Sequence, residues 1–226
     1  MRLIVVGTGS SGNTYLLTNE QETLVIDCGM RFLETKKALN FNVRGIVGAI
    51  TTHTHGDHSK YAHEYEAAGI PVWKPFESEN LRQTTKFGGF TVQSFECVHN
   101  VPCVGYLISH KDFGKMLYAT DTEYIKYTFK FLSVMLIEAN WQEEYVNRDE
   151  AKYAHVLTGH MSLGTCMDAI KANSSPKLNH VILCHLSGGN AVAAECKAAV
   201  EAIVPAGVTV DVAEKGLVVD LGEVPF

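Results

Sequence analysis

The chain has 226 residues, 46% of them hydrophobic, with 19 Lys and Arg against 25 Asp and Glu and a formal net charge of -6. That length and composition predict one globular domain over residues 1–226, and the acidic balance argues against a broad basic groove for long nucleic acid. The first apolar run, Leu3–Val6, stops at Gly7 and is too short for a signal peptide, and no run reaches the length of a membrane span. A soluble, cytoplasmic protein with no membrane partner is expected. The six cysteines, Cys28, Cys97, Cys103, Cys166, Cys184 and Cys196, show no CxxC spacing, so neither a disulfide framework nor a thiolate metal site is expected.

In chain order, Leu3–Val6, Asn13–Leu17, Leu24–Asp27 and Gly45–Thr52 have strand character, with a helix at Phe32–Asn40 between the last two. His58–Ala68 has helical composition and ends at Gly69, a residue suited to a C-cap. Strands resume at Pro71–Lys74, Phe90–Val98, Gly105–Ser109 and Lys115–Ala119. Helices are expected at Tyr145–His155, Ser162–Ala172 and Ala191–Ile203, and strands at His180–Cys184, Val208–Val212 and Gly216–Leu221. Two strand-rich halves, each closed by helices, predict two packed sheets with helices outside.

The densest chemistry lies in one loop. His53-Thr54-His55-Gly56-Asp57-His58 puts three imidazoles and a carboxylate directly after the apolar strand Gly45–Thr52. Imidazole nitrogen and carboxylate oxygen are the donors of zinc-like divalent ions. Alternation at a strand tip sends His53 and His55 to one side. Gly56 is expected to let the chain curl so that Asp57 and His58 face a second point. His99, Asp121 and His185 each follow a further apolar run, so each is expected at a strand tip from which it could converge on the loop. His63, His110, His155 and His180 lack this context and are expected to be structural or superficial.

The motif His53-x-His55-x-Asp57-His58, with His99, Asp121 and His185, resembles the metallo-β-lactamase fold superfamily over nearly the whole chain. The resemblance implies an α/β (α+β) fold, a four-layer αββα sandwich, with two divalent metal ions at one edge. Zinc is expected first and manganese as the alternative. His53, His55 and His99 would hold one ion, Asp57, His58 and His185 the other, and Asp121 would bridge both. Asp27 matches the acidic residue that the family carries before the motif as a support for its ligands. Lactamases of this fold often have cysteine where Asp121 stands, which turns the expectation toward phosphoester, thioester or lactone substrates.

Ser10-Ser11-Gly12-Asn13 and Gly159-His160-Met161-Ser162 resemble segments of a bacterial group of nucleases and phosphodiesterases, the YycJ/WalJ-like proteins. That likeness implies phosphodiester hydrolysis by a metal-bridging hydroxide beside Asp57, and a further resemblance to the related tRNA 3'-processing enzymes implies that His160 protonates the leaving group and Glu138 orients it. The hydroxyls and amides of the Ser10–Asn13 turn could donate to a phosphate or brace the metal loop, and Ser162 has the alternative of capping the following helix. The expected substrate is nucleic acid or a small phosphodiester, and the alternative is a lactone, thioester or β-lactam opened by the same metals. Lys60, Arg82, Lys86, Lys111 and Lys115 are candidates for a local basic rim.

Overall fold

The computed structural model describes residues 1–146 and 158–222. Their strands form two sheets. The first contains β1 (Arg2–Gly7), β2 (Thr14–Thr18), β3 (Thr23–Ile26), β4 (Ile46–Ile50), β5 (Val72–Trp73) and β13 (Val218–Asp220), in the order β13-β1-β2-β3-β4-β5. The second contains β6 (Thr84–Phe87), β7 (Phe90–Glu96), β8 (Val104–His110), β9 (Gly114–Ala119), β10 (Val134–Glu138), β11 (His180–Cys184) and β12 (Thr209–Val212), ordered β12-β11-β10-β9-β8-β7-β6.

Side-chain alternation builds three apolar layers from these strands. Leu3, Tyr15, Leu24 and Ile50 of the first sheet face Val92, Tyr106, Tyr118 and Leu136 of the second, making the inner core. Their neighbours point outward. Leu16, Val25 and Ala49 pack under α1 (Phe32–Ala38) and α3 (Ala62–Ala67) through Phe32 and Tyr65. Leu117, Met135, Ile137 and Leu183 pack under α4 (Leu163–Asn173) and α5 (Ala193–Glu201) through Cys166, Ile170, Cys196 and Val200. The result is the expected αββα sandwich, and all six cysteines are free and buried in it.

Two strands carry no sequence expectation. β6 is a polar edge strand, half exposed. β10 sits between β9 and β11 in parallel pairing. It is buried at every position, so it lacks the polar alternation that marks a strand with one wet face. The helix expected at His58–Ala68 is instead two short ones, α2 (Gly56–Ser59) and α3. Of the helix expected at Tyr145–His155, Tyr145 lies in a turn, and the segment from residue 147, with His155, lies outside the described residues.

α2 also changes the role of Gly56. That residue opens the helix with no positive φ, and a Cβ there would meet nothing within 4 Å. Gly29 is the glycine on which the loop depends, because a Cβ at that position would lie 1.8 Å from the Asp57 carbonyl oxygen. Gly29→Ala must displace the backbone of α2 and is expected to destabilise the fold by about 1–3 kcal/mol, the usual range for overpacking. Gly56→Ala removes backbone freedom without a clash and is expected to be neutral or stabilising by up to about 1 kcal/mol. Urea unfolding of the two variants against the parent tests the pair, and equal stability of both would contradict this packing.

Candidate metal centre

The parallel strands set the site. β4 ends at Ile50, and the extended run through His53 and His55 enters α2, whose first turn carries Asp57 and His58. Asp121 follows β9, Glu138 ends β10, and His185 follows β11, with Glu138 in register with Cys184. These tips lie at one edge of the sandwich.

Three non-glycine residues there have left-handed backbone: Asp27 at φ 58°, Asp121 at 50° and His185 at 54°. Asp and His visit this region more readily than branched residues do. Each lies just past a strand of the inner core, so the bend turns the side chain into the cluster.

All seven sequence-predicted ligands come together, in two groups sharing Asp121. His53, His55, His99 and Asp121 each offer a donor atom, and these donors lie within 4.8 Å of one another. The same holds for Asp57, His58, Asp121 and His185. Glu138 and His160 join Asp121 and His185 in a third group by the same measure. Asp121 stands between the sets, with Oδ2 at 3.4 Å from both His53 Nε2 and His58 Nε2 and Oδ1 at 3.4 Å from His185 Nε2.

Hydrogen bonds from across the fold fix the rings. Asp27, fully buried, accepts from His58 Nδ1 at 2.7 Å, Tyr118 Oη at 2.6 Å and the Thr52 backbone N–H at 2.9 Å. His99 Nδ1 donates to the Gly159 carbonyl at 2.8 Å, and the His185 backbone N–H donates to Thr8 Oγ1 at 3.1 Å. Asn13 fastens the loop by donating its backbone N–H to the Asp57 carbonyl at 2.7 Å, and its Nδ2 lies 3.0 Å from His58 Nε2. Thr8, Thr52 and Tyr118 carry no signal in the sequence because their partners are distant along it or unremarkable; Tyr118 and Asp27 are 91 residues apart. Orienting hydrogen bonds of this kind are the usual companions of metal-binding imidazoles.

His160 Nδ1 donates to Glu138 Oε1 at 2.8 Å, and its ring stacks on His185 with centroids 5.4 Å apart. Glu138 Oε2 also accepts from the backbone N–H groups of Met161 and Thr122 at 3.2 and 3.3 Å. Ser162 is the helix cap, its hydroxyl accepting from the Thr165 backbone N–H at 3.1 Å.

The electrostatics divide the imidazoles. Burial pushes His53 and His99 down, His99 to about 4, so both are neutral donors at ordinary pH. Burial also disfavours charge on His58 and His185, but there the carboxylates prevail. Asp121 and Asp27 hold His58 up to about 10, and Asp121, Asp57 and Glu138 hold His185 well above its usual range. Burial likewise opposes ionisation of Asp57 and Asp121, and the facing histidines reverse it, holding both below the usual carboxylate range. The donor set fits a divalent cation. His53 Nε2 is buried and has no hydrogen-bond partner, an orphaned lone pair that a metal would occupy.

Fold and donor set together define an αββα protein whose strand tips carry a cluster suited to divalent cations. The Metallo-beta-lactamase superfamily model matches residues 7–75. The exodeoxyribonuclease YycJ of Bacillus anthracis is 24% identical over 217 residues, covering 82% of each chain. Among solved structures, the metallo-β-lactamase fold protein YhfI of Bacillus subtilis superposes with a TM-score of 0.75 at 18% identity, over 97% of this chain and 99% of that one. The short form of human tRNase Z superposes with a TM-score of 0.64 at 16% identity over 100% of both chains. The chain has the metallo-β-lactamase fold and is similar to the YycJ and WalJ proteins. Among the described residues no helix is long and apolar enough to cross a membrane.

The imidazole charges set a proton cost for metal loading. His58 holds its proton up to about pH 10, whereas His99 is neutral above about pH 4. A cation entering the Asp57–His58–His185 group must therefore displace protons, and its affinity rises with pH. Metal titrated at neutral pH is expected to show a binding enthalpy that depends on the buffer's ionisation enthalpy, with proton release traced to this group by its loss in His58→Ala. Buffer-independent heats would contradict the assignment.

Proposed function

We propose that the chain is a phosphodiesterase or nuclease working with two divalent metal ions, zinc first and manganese as the alternative. The observation that carries the reading is the pair of donor groups sharing Asp121, with the His160–Glu138 pair beside them. His53, His55 and His99 would hold one ion and Asp57, His58 and His185 the other, with Asp121 common to both. Bound there, the ions would activate a water and polarise the phosphoryl oxygens.

The chain's own groups do the rest. Asp57, kept ionised by His58 and His185, accepts the hydrogen bond that orients the attacking water. His160, 13% exposed at its side chain, would protonate the leaving oxygen. Burial opposes its charge, but Glu138 holds its pKa above the usual value. With Nδ1 committed to Glu138, the proton delivered is the one on Nε2. Glu138 acts by position, keeping the ring oriented and charged. YycJ is named an exodeoxyribonuclease, which supports nucleic acid as the substrate. Six unpaired cysteines suit a reducing, cytoplasmic compartment. Because both sheets position the site, we treat residues 1–226 as one domain.

The purified protein is expected to carry two transition-metal ions and to hydrolyse a bis-aryl phosphodiester, with Asp121→Ala losing both properties. Efficient opening of lactams or thioesters by the loaded enzyme, with phosphodiesters and DNA ignored, would overturn the reading in favour of the alternative hydrolase.

His160→Ala is expected to lower kcat by about 10²–10⁴-fold, the range for a general acid, and to cost less with a nitrophenolate leaving group than with a nucleoside. The charged form of His160 survives above its ordinary pKa, so activity falls as pH rises through the raised value. Glu138→Gln removes the cause and is expected to shift that alkaline limb to lower pH. A pH–rate profile unmoved by Glu138→Gln would sink the pairing.

A further inference from the structure

The segment after Asp121 runs from the metal centre across the outer face of the second sheet without regular secondary structure. It alternates strictly. Ile125, Tyr127 and Phe129 pack inward against the outer apolar layer, and Phe129 and Tyr127 sit on Phe95 with centroids 4.9 and 5.9 Å away. Tyr124, Lys126, Thr128 and Lys130 point outward and are exposed, followed by Phe131.

The inward residues account for how the segment is anchored. They leave unexplained an exposed row of two aromatic rings and two ammonium groups, where Lys177 Nζ lies 5.7 Å from the centroid of the Phe131 ring. Tyr124 is 47% exposed and Phe131 60% exposed. Phe131 also has φ 62°, a conformation in which glycine is ordinary and a bulky side chain is costly. Arg82 lies over the Tyr127 ring at 4.8 Å and donates to its hydroxyl, adding a cation to the flank. Among the described residues, the carboxylate paired with the row is Glu96, 3.3 Å from Lys126, and both groups are substantially exposed. Such a pair is weak and yields readily to a phosphate.

The row begins at the metal centre. Thr122 and Glu123 run beside Val98, next to His99: the Val98 N–H donates to Thr122 Oγ1, and the Glu123 N–H donates to the Val98 carbonyl. Glu123 Oε1 accepts the Gly159 N–H, and Gly159 holds His99. At about 3.3 Å per extended residue, Tyr124 to Phe131 reaches up to about 23 Å, the length of a few nucleotides.

We propose that this row is a track for single-stranded nucleic acid leading into the metal centre, with Tyr124 and Phe131 stacking bases and Lys126, Lys130 and Arg82 meeting phosphates. Interleaved aromatic and cationic groups are the pattern that binds unpaired strands, because only unstacked bases present faces to a ring. The proposal rests on the phosphodiesterase reading above and adds the form of the substrate and its route.

The test compares Tyr124→Ala and the double variant Lys126→Ala/Lys130→Ala with the parent. Fluorescence anisotropy would follow a labelled oligothymidylate, an oligouridylate and a blunt DNA duplex in EDTA. Turnover of the bis-aryl phosphodiester would be measured with metal. Tyr124→Ala is expected to weaken single-strand binding by on the order of 10-fold. The double variant is expected to reduce the slope of log affinity against log salt by about 1.4, at about 0.7 for each phosphate it no longer neutralises. Both should leave small-diester turnover unchanged, and the relative affinities of the two oligonucleotides identify DNA or RNA as the strand. Parental single-strand affinity in both variants overturns the track, as does duplex binding equal to that of single strands. No turnover of the small diester by the parent protein would instead overturn the underlying function.

Discussion

Three carboxylates, Asp27, Asp121 and Glu138, are buried at one edge of the sandwich, and among the described residues the basic side chains facing them are all histidines. Buried charge is costly unless it is paired and hydrogen-bonded, so much of the fold around this edge serves to supply imidazoles and N–H groups. Asp27 takes its donors from three separate places in the chain: Thr52, His58 and Tyr118. Because an imidazole can give up its proton where a lysine or arginine would not, this compensation is exchangeable. The protons on His58 and His185 that balance these carboxylates are the ones a divalent cation would displace.

The same constraint explains the backbone. A residue that ends a core strand normally continues the alternation and points into the neighbouring layer. At Asp27, Asp121 and His185 the left-handed bend breaks that alternation and turns the polar side chain toward the edge. Bends of this kind are held only where the surroundings over-determine them, and each of these residues is tied from elsewhere. Asp27 is tied by four hydrogen-bonding groups and His185 by Thr8 and Asn140. Asp121 is tied by the imidazoles on either side of it.

Much of the site is legible in the sequence because its donors are dense and local. Three imidazoles and a carboxylate in six positions leave little else to read at His53–His58, and His99, Asp121 and His185 each follow an apolar run. The fold is legible wherever a strand has one polar face or a clear stop. It is hidden at β10, buried on both sides, and at β6, whose polar edge position removes the apolar signal. The helix expected at His58–Ala68 is too long because composition cannot register where the chain must break to let the Cys28 N–H donate to the His58 carbonyl and the Cys28 carbonyl accept from Tyr61.

The sequence by itself determined which atoms can bind a metal and that they arise at the ends of strands, since donor chemistry and strand periodicity are properties of residues and their neighbours. Only the tertiary structure decided which imidazoles are neutral and which are charged, because that depends on carboxylates brought in from other strands. It alone also made Gly29, not Gly56, the glycine the loop requires, and set Tyr118 behind Asp27. Those relations are distances between segments far apart in the chain, fixed by the register of two sheets, and no local pattern of residues encodes them.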